Sequence, residues 1–344
     1  MKLTENQIRK YIAGAPNLQT ALQQLYNSAP QADEVDFIYA MLHYFHNKKG
    51  CKFFKTHQQQ VVNEKSNAQC EISDLLIISY SHRWPCMKVN FLQAKLAPFN
   101  NNAQGVISVK EDNYFKFHID GTQYRLLKDL ARIHPKNTGL PSNVLSDACS
   151  DSITSYGVFY KDGKKIEMAY EITQLLKPNS YSNVHGTSKS KVCVFDTTLD
   201  KYGQHFHGGC CDCCHPWRWE CRCHGRIIPD LLSTISTQRF EEALFRFQIG
   251  SPLCGKLAID FSNAILTSWS KNVEKTDFES FVTHIKPIWE EQELDNNRAN
   301  ERAGRRDDGN GDFPSSDLDI IKDFPAAPKY ILLINVDSEH DGRE

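Results

Sequence analysis

The chain has 344 residues, with 40 Lys and Arg against 42 Asp and Glu and a formal net charge of −2. That balance excludes a globally basic nucleic-acid-binding protein, so any phosphate-binding surface has to be local. No apolar run approaches the roughly 18 residues of a membrane span, and the opening Met1–Gln7 lacks the apolar segment of a secretion signal. A cytoplasmic protein with no membrane partner is expected.

Thr4–Gln7 has capping-box form and opens a short helix to about Ala13. Pro16–Tyr26 reads as a second helix, with Leu18, Ala21, Leu22 and Leu25 on one stripe. The strongest helical signal of this half runs from Asp33 to about Asn47. Ile38, Met41, Leu42 and Phe45 form its apolar face, and Gly50 closes it. Glu34 lies at helical spacing from Ile38 and Met41 and shares their side; it is either a site residue or a first-turn acid favoured by the helix dipole.

Two apolar runs follow, Cys70–Ser79 and Lys88–Ala97, with the length and composition of buried strands. Asp74 interrupts the first, and Gln93 and Lys95 interrupt the second. Ser81–Pro85 supplies a turn, and a hairpin would bring the three groups to one end of neighbouring strands. Gln93 and Lys95 then share a face, with Ala94 on the other. A buried Asp or Lys is expensive unless paired or bound to metal. Carboxylate and amide oxygens suit magnesium, which is often held by few protein groups. A lysine two residues from the amide suits orienting or deprotonating a water for attack on a phosphodiester. The plainer alternative has Asp74 capping a turn and Lys95 snorkelling from an edge strand. Glu71 is a rival carboxylate, on the opposite strand face from Asp74 by parity.

Asn113–Ile119 alternates as a strand, and a turn at Asp120 leads into a helix through Arg132 with Tyr124, Leu127 and Ala131 inward. Gln123, Arg125, Lys128 and Arg132 either line a cleft or form a solvated face. Residues 134–150 are loop-like in composition and mark a boundary. The expected organisation is a core over 1–150 and a second α+β region over 151–344. Strand signals in the latter fall at Ile153–Tyr160, Ile166–Ile172 and Lys191–Asp196.

Residues 205–224 hold ten thiol or imidazole groups. Cys210/Cys213 and Cys211/Cys214 are overlapping Cys-x2-Cys pairs, Cys221 and Cys223 complete either to four, and His215 is a further donor. In a cytoplasmic chain such density reads as a metal site rather than as disulfides, and a closed structural zinc is the expectation. Which four groups ligate, and whether one ion or two, stays open. Beyond it, Pro229 opens an expected long amphipathic helix through Phe247, within a helical segment 229–290. Residues 290–316 have the composition of a disordered insertion, and Lys329–Val336 is a buried-strand signal.

Asp74 with Gln93-Ala94-Lys95 resembles the PD-(D/E)xK nuclease superfamily in its Gln-x-Lys variant, over about residues 30–130. Ser73 stands where the motif has proline and Gln93 where it has an acid. The resemblance implies an α/β protein with a restriction-endonuclease-like core, a mixed sheet flanked by helices, followed by the zinc-knuckle region. It also implies Mg2+ or Mn2+ held by Asp74, Gln93 and Glu34, with Lys95 activating or positioning water for hydrolysis of DNA. Such chains are similar to nuclease effectors of bacterial anti-phage defence, which work beside an ATPase or sensor partner. No Gly-x4-Gly-Lys-Ser/Thr loop is present, so nucleotide-driven regulation would need another chain. The rival readings are a catalytically lapsed, zinc-stabilised scaffold or nucleic-acid-binding subunit, favoured by Gln93, and a thiol or metal-storage protein.

Overall fold

Three helices open the chain, α1 (Glu5–Tyr11), α2 (Leu18–Ser28) and α3 (Glu34–His46), and each begins on a side chain that takes up orphaned backbone N–H groups. Thr4 accepts from Gln7, Asn17 from Thr20, and Asp33 from Val35 and Asp36. At Thr4 and Asp33 the side chain three residues on reaches back, so both are capping boxes. Gly50, at φ +78°, turns the chain out of α3. The computed structural model describes residues 3–56, 61–63, 68–70, 73–81, 86–97, 114–128, 152–179, 190–196, 201–203, 230–254, 258–263 and 328–338, with isolated positions between 282 and 298.

The strands are β1 (Cys51–Lys55), β2 (Val61–Asn63), β3 (Ala68–Cys70), β4 (Leu75–Tyr80), β5 (Cys86–Leu96), β6 (Tyr114–Asp120), β7 (Thr154–Asp162), β8 (Lys165–Ile172), β9 (Lys177–Asn179), β10 (Ser190–Asp196), β11 (Lys201–Gly203), β12 (Asp230–Thr234), β13 (Ser251–Cys254) and β14 (Tyr330–Asn335). Helix α4 (Gly121–Lys128) follows β6, and α5 (Thr237–Phe245) follows β12. Among the described residues nine strands form a mixed sheet in the order β1-β14-β4-β5-β7-β8-β12-β11, with β13 on the first part of β5. The sheet takes strands from both sides of residue 150. β14 runs parallel to β4 and β5 parallel to β7, while β4 and β5 are antiparallel. β6, β10 and β9 make a smaller sheet, and β2 and β3 a ribbon.

Both faces of the large sheet are covered, which is why β4 and β14 read as continuous apolar runs. On one face Leu75, Ile77, Leu92, Ala94, Leu332 and Ile334 join a core with α1–α3 and α5. On the other, Tyr156 and Val158 of β7 meet Phe117 and Ile119 of β6 and Tyr124 and Leu127 of α4. Phe37 of α3 stacks on Phe159 of β7 with ring centroids 5.2 Å apart, and Tyr39 meets Tyr330 edge-on at 5.1 Å. Aromatic pairs of this kind contribute about 0.5–1.5 kcal/mol beyond the area they bury. They fix α3, and so its first turn, against the sheet.

The segment after Pro229 differs from the single long helix expected. Asp230–Thr234 is a strand, paired with β8 and β11, and the helix starts only at Thr237. Ser236 caps it by accepting from Arg239 N at 3.3 Å. Leu231, Phe240 and Leu244 are buried as expected, but the first belongs to a strand face. Ser251–Cys254, within the expected helical segment 229–290, is likewise a strand. Gly250 precedes it at φ +94°, where a Cβ would lie 2.6 Å from the Val89 carbonyl oxygen, so no larger residue fits. Among the described residues no helix is long and apolar enough to cross a membrane.

Candidate active site

Leu75 of β4 pairs with Leu92 of β5, so Asp74, one residue before β4, falls opposite Gln93. The expected hairpin places them in contact. Asp74 and Gln93 are each only 2 % exposed, and a carboxylate so buried must have its lone pairs taken up. Asp74 Oδ2 accepts from Ala94 N at 3.0 Å and from Gln93 Nε2. Its backbone carbonyl accepts from Tyr330 N at 3.0 Å, because β14 enters the sheet alongside.

That parallel entry brings in Lys329, which the sequence reading did not single out. Its Nζ lies 3.4 Å from Asp74 Oδ1, and its backbone N–H donates to Ser73 O at 3.1 Å. The sequence offers only a lysine before an apolar strand, with nothing to name the neighbour of that strand.

Gln123, one of the four polar residues the sequence offers as cleft-lining, is brought in as well. Asp120 accepts its backbone N–H at 3.1 Å at the start of α4, and the hydroxyl of the next residue, Tyr124, donates to Leu176 O at 3.1 Å. So anchored, α4 aims the Gln123 side chain at the sheet, where Nε2 donates to Gln93 Oε1 at 2.6 Å. Of the cleft candidates on this helix, Gln123 is buried in the site and Lys128 is exposed. The side chain of Arg125, and all of Arg132 and Glu71, lie outside the described residues.

Lys95 follows Gln93 on the same strand face, and its Nζ lies 3.8 Å from Glu34 Oε1 in the first turn of α3. Glu34 therefore joins the site from a different element. Burial is the main reason its carboxyl is pushed up to about 7; Lys95 opposes this, and the charge of Asp74 adds to it. Lys329 also acts on Glu34, so two acids and two lysines share one electrostatic neighbourhood. Their exposures differ in a useful way: the Asp74 side chain is 3 % exposed, against 19 %, 29 % and 18 % for Lys95, Glu34 and Lys329. A buried acid thus lies at the foot of a solvent-reachable rim.

Among the described residues no three His, Cys, Asp or Glu side chains are grouped as a metal site. The donor chemistry here is two carboxyl groups and an amide, all hard oxygen, which fits Mg2+ or Mn2+ completed by water and excludes none of the three expected ligands. Gln93 as placed gives Asp74 its N–H; to act as a ligand its amide must turn over. Gln123, whose amide can donate or accept, can follow that turn. The zinc candidates Cys210, Cys211, Cys213, Cys214, Cys221, Cys223 and His215 lie outside the described residues.

No family model, curated protein or solved structure matches this chain.

Proposed function

We propose that the chain is a Mg2+- or Mn2+-dependent endonuclease that hydrolyses DNA phosphodiester bonds. The observation that supports it is the meeting of Asp74 just before β4, Gln93 and Lys95 of β5, and Glu34 of α3 at one end of the sheet. Asp74, Gln93 and Glu34 would hold the ion, which when bound would polarise the scissile phosphate and lower the pKa of water. Lys95 orients the attacking water and offsets negative charge developing on the phosphate. Gln123 keeps Gln93 in register. The site opens to solvent on the side of Lys95, Glu34 and Lys329, which is where a phosphodiester would enter.

The test is cleavage of plasmid DNA by the full chain in Mg2+, Mn2+ and chelator, beside Lys95→Ala. Metal-dependent nicking lost in the variant is expected, a fall on the order of a hundredfold or more. Equal cleavage by both proteins would place any activity elsewhere. By the family resemblance, the biological setting is an effector of anti-phage defence with an ATPase or sensor partner, acting in the cytoplasm. A structural zinc in 205–224 completes the proposal; elemental analysis giving no zinc in the purified chain would remove it.

One observation favours a second reading. Asp74 is met by Lys329, Gln93 and Ala94, and Glu34 by Lys95, so each carboxyl has protein donors or a counter-charge beside it. A lapsed, zinc-stabilised nucleic-acid-binding or scaffold subunit would look the same, and would bind DNA without cutting it in any metal.

A further inference from the structure

The two oxygens of Asp74 are held differently. Oδ2 is fixed by the Ala94 amide at 3.0 Å and by Gln93 Nε2, both part of the β5 scaffold. Oδ1 is met by an ammonium on a flexible stem, Lys329 Nζ at 3.4 Å, a distance of charge attraction rather than of a tight hydrogen bond. The backbone of Lys329 is tied to Ser73, and the next residue to Asp74, so its Cα cannot move. Its side chain is 18 % exposed and can. A lysine ammonium is a compact point charge with rotatable donors, equally suited to a carboxylate or a phosphate oxygen.

We infer that Lys329 is an exchangeable cation on Asp74. Its ammonium occupies Oδ1 while the metal is away, and is displaced by metal entry to a non-bridging oxygen of the incoming phosphodiester. This rests on the metal-site reading above. One side chain then has two opposed effects: it competes with the metal for Asp74, and it binds the substrate once displaced. A lysine that merely stayed beside Oδ1 would also oppose metal entry by repulsion, but it would give the phosphodiester nothing, so its loss would leave cleavage at saturating metal unchanged. Lys95 is differently placed, 3.8 Å from Glu34, and does not share this role.

The experiment is calorimetric titration of Mn2+ into the chelator-treated, dialysed full chain, with plasmid cleavage at saturating metal and urea unfolding in chelator. Wild type, Lys329→Met and Lys329→Arg are compared. Lys329→Met is expected to bind Mn2+ on the order of tenfold more tightly, since a positive charge a few ångströms from the ligand oxygen is gone. It is expected to cleave on the order of tenfold more slowly. Lys329→Arg keeps the charge and should retain the weaker metal affinity of wild type. Metal affinity in Lys329→Met that is unchanged or weaker, or cleavage at saturating metal that is unchanged, overturns the exchange while leaving the metal site standing. If Lys329→Met does not fold, Lys329→Gln replaces it, and failure of both to fold makes the residue structural and also overturns the exchange. A wild-type chain that binds neither Mn2+ nor Mg2+ overturns the metal-site reading itself.

Discussion

Replacing Gln93 by Glu introduces a second acid beside Asp74 and separates its possible roles. Gln93 and Asp74 are each 2 % exposed, and the amide N–H of one donates to the carboxylate of the other. In Gln93→Glu, without metal, two carboxyl groups face each other in that buried space, and one must keep a proton. A glutamate ordinarily ionises near 4.3, so holding the new carboxyl protonated at pH 7 costs about 1.36 kcal/mol for each of roughly 2.7 units, or about 4 kcal/mol. Lys95, Lys329 and the carboxyl of Glu34 also face the pair, and the two lysines reduce that figure. The sign follows from linkage. The new group has a folded-state pKa raised above its unfolded value. Its contribution is therefore intact below about pH 4.3 and is lost as pH rises toward the folded value. The variant should match wild type near pH 4 and fall behind by up to about 4 kcal/mol at pH 7 in chelator. A divalent ion at about a hundred times its Kd should return about 2.7 kcal/mol. Urea unfolding from pH 4 to 8, with chelator and with Mg2+, reads both effects. Coincident curves for the two proteins at every pH, with or without the ion, would refute the reasoning.

His43 predicts a separate acid-side loss. It lies 3.2 Å from Glu5 and against Tyr39 and Phe53, and burial, aided by Arg9, pushes it down to about 4 from 6.5. The unfolded chain takes up that proton first, so stability falls between about pH 6.5 and 4, by at most about 3 kcal/mol. In His43→Phe the slope of unfolding free energy against pH should flatten across that window; an unchanged slope would show that His43 does not set it. Asp230→Ala should destabilise by about 3–5 kcal/mol in urea, because Lys88, 3 % exposed, is left charged and unpartnered by its carboxylate. Lys88→Met combined with Asp230→Leu should recover most of that loss, and a double variant no better than Asp230→Ala would contradict the charge argument.

Local patterns carried the reading furthest. Thr4 and Asp33 mark helix starts by capping chemistry that acts over three residues, and the Leu18–Leu25 stripe is buried throughout. Asp74, Gln93 and Lys95 stood out because each breaks an apolar run, a signal confined to a ten-residue window. What eluded the reading is non-local. Lys329 reaches Asp74 only because β14 slots between β1 and β4, a pairing across 255 residues that no periodicity encodes. Gln123 was one of four polar residues on α4, and its inward direction depends on Tyr124 and Asp120 anchoring the helix. The helix expected from Pro229 was mistaken in part because Leu231, Ile235 and Phe240 satisfy a loose helical spacing. Sheet partners β8 and β11 override it by pairing Asp230–Thr234 as a strand.

β5 itself offers a comparison that supports the proposal of a site, rather than one more buried ion pair, at its C-terminal end. The same strand carries Lys88 and Asn90 on its other face and nearer its start. There Lys88 pairs with Asp230, Ser152 donates to the second oxygen of Asp230 at 3.4 Å, and Asn90 is shared between Ser152 O, Ser155 and Tyr170. Lys88 and Asp230 are 3 % and 1 % exposed, and a network so closed leaves no entry for a ligand. At the far end the buried acid is the same kind of group, but its cationic partner is 18 % exposed and sits beside a half-open Glu34 and Lys95. Stability alone would favour closing that rim, as it is closed around Asp230. Open charge kept beside a shielded carboxylate matches what an exchangeable ion and a polyanionic substrate both need, and a structural pair needs neither.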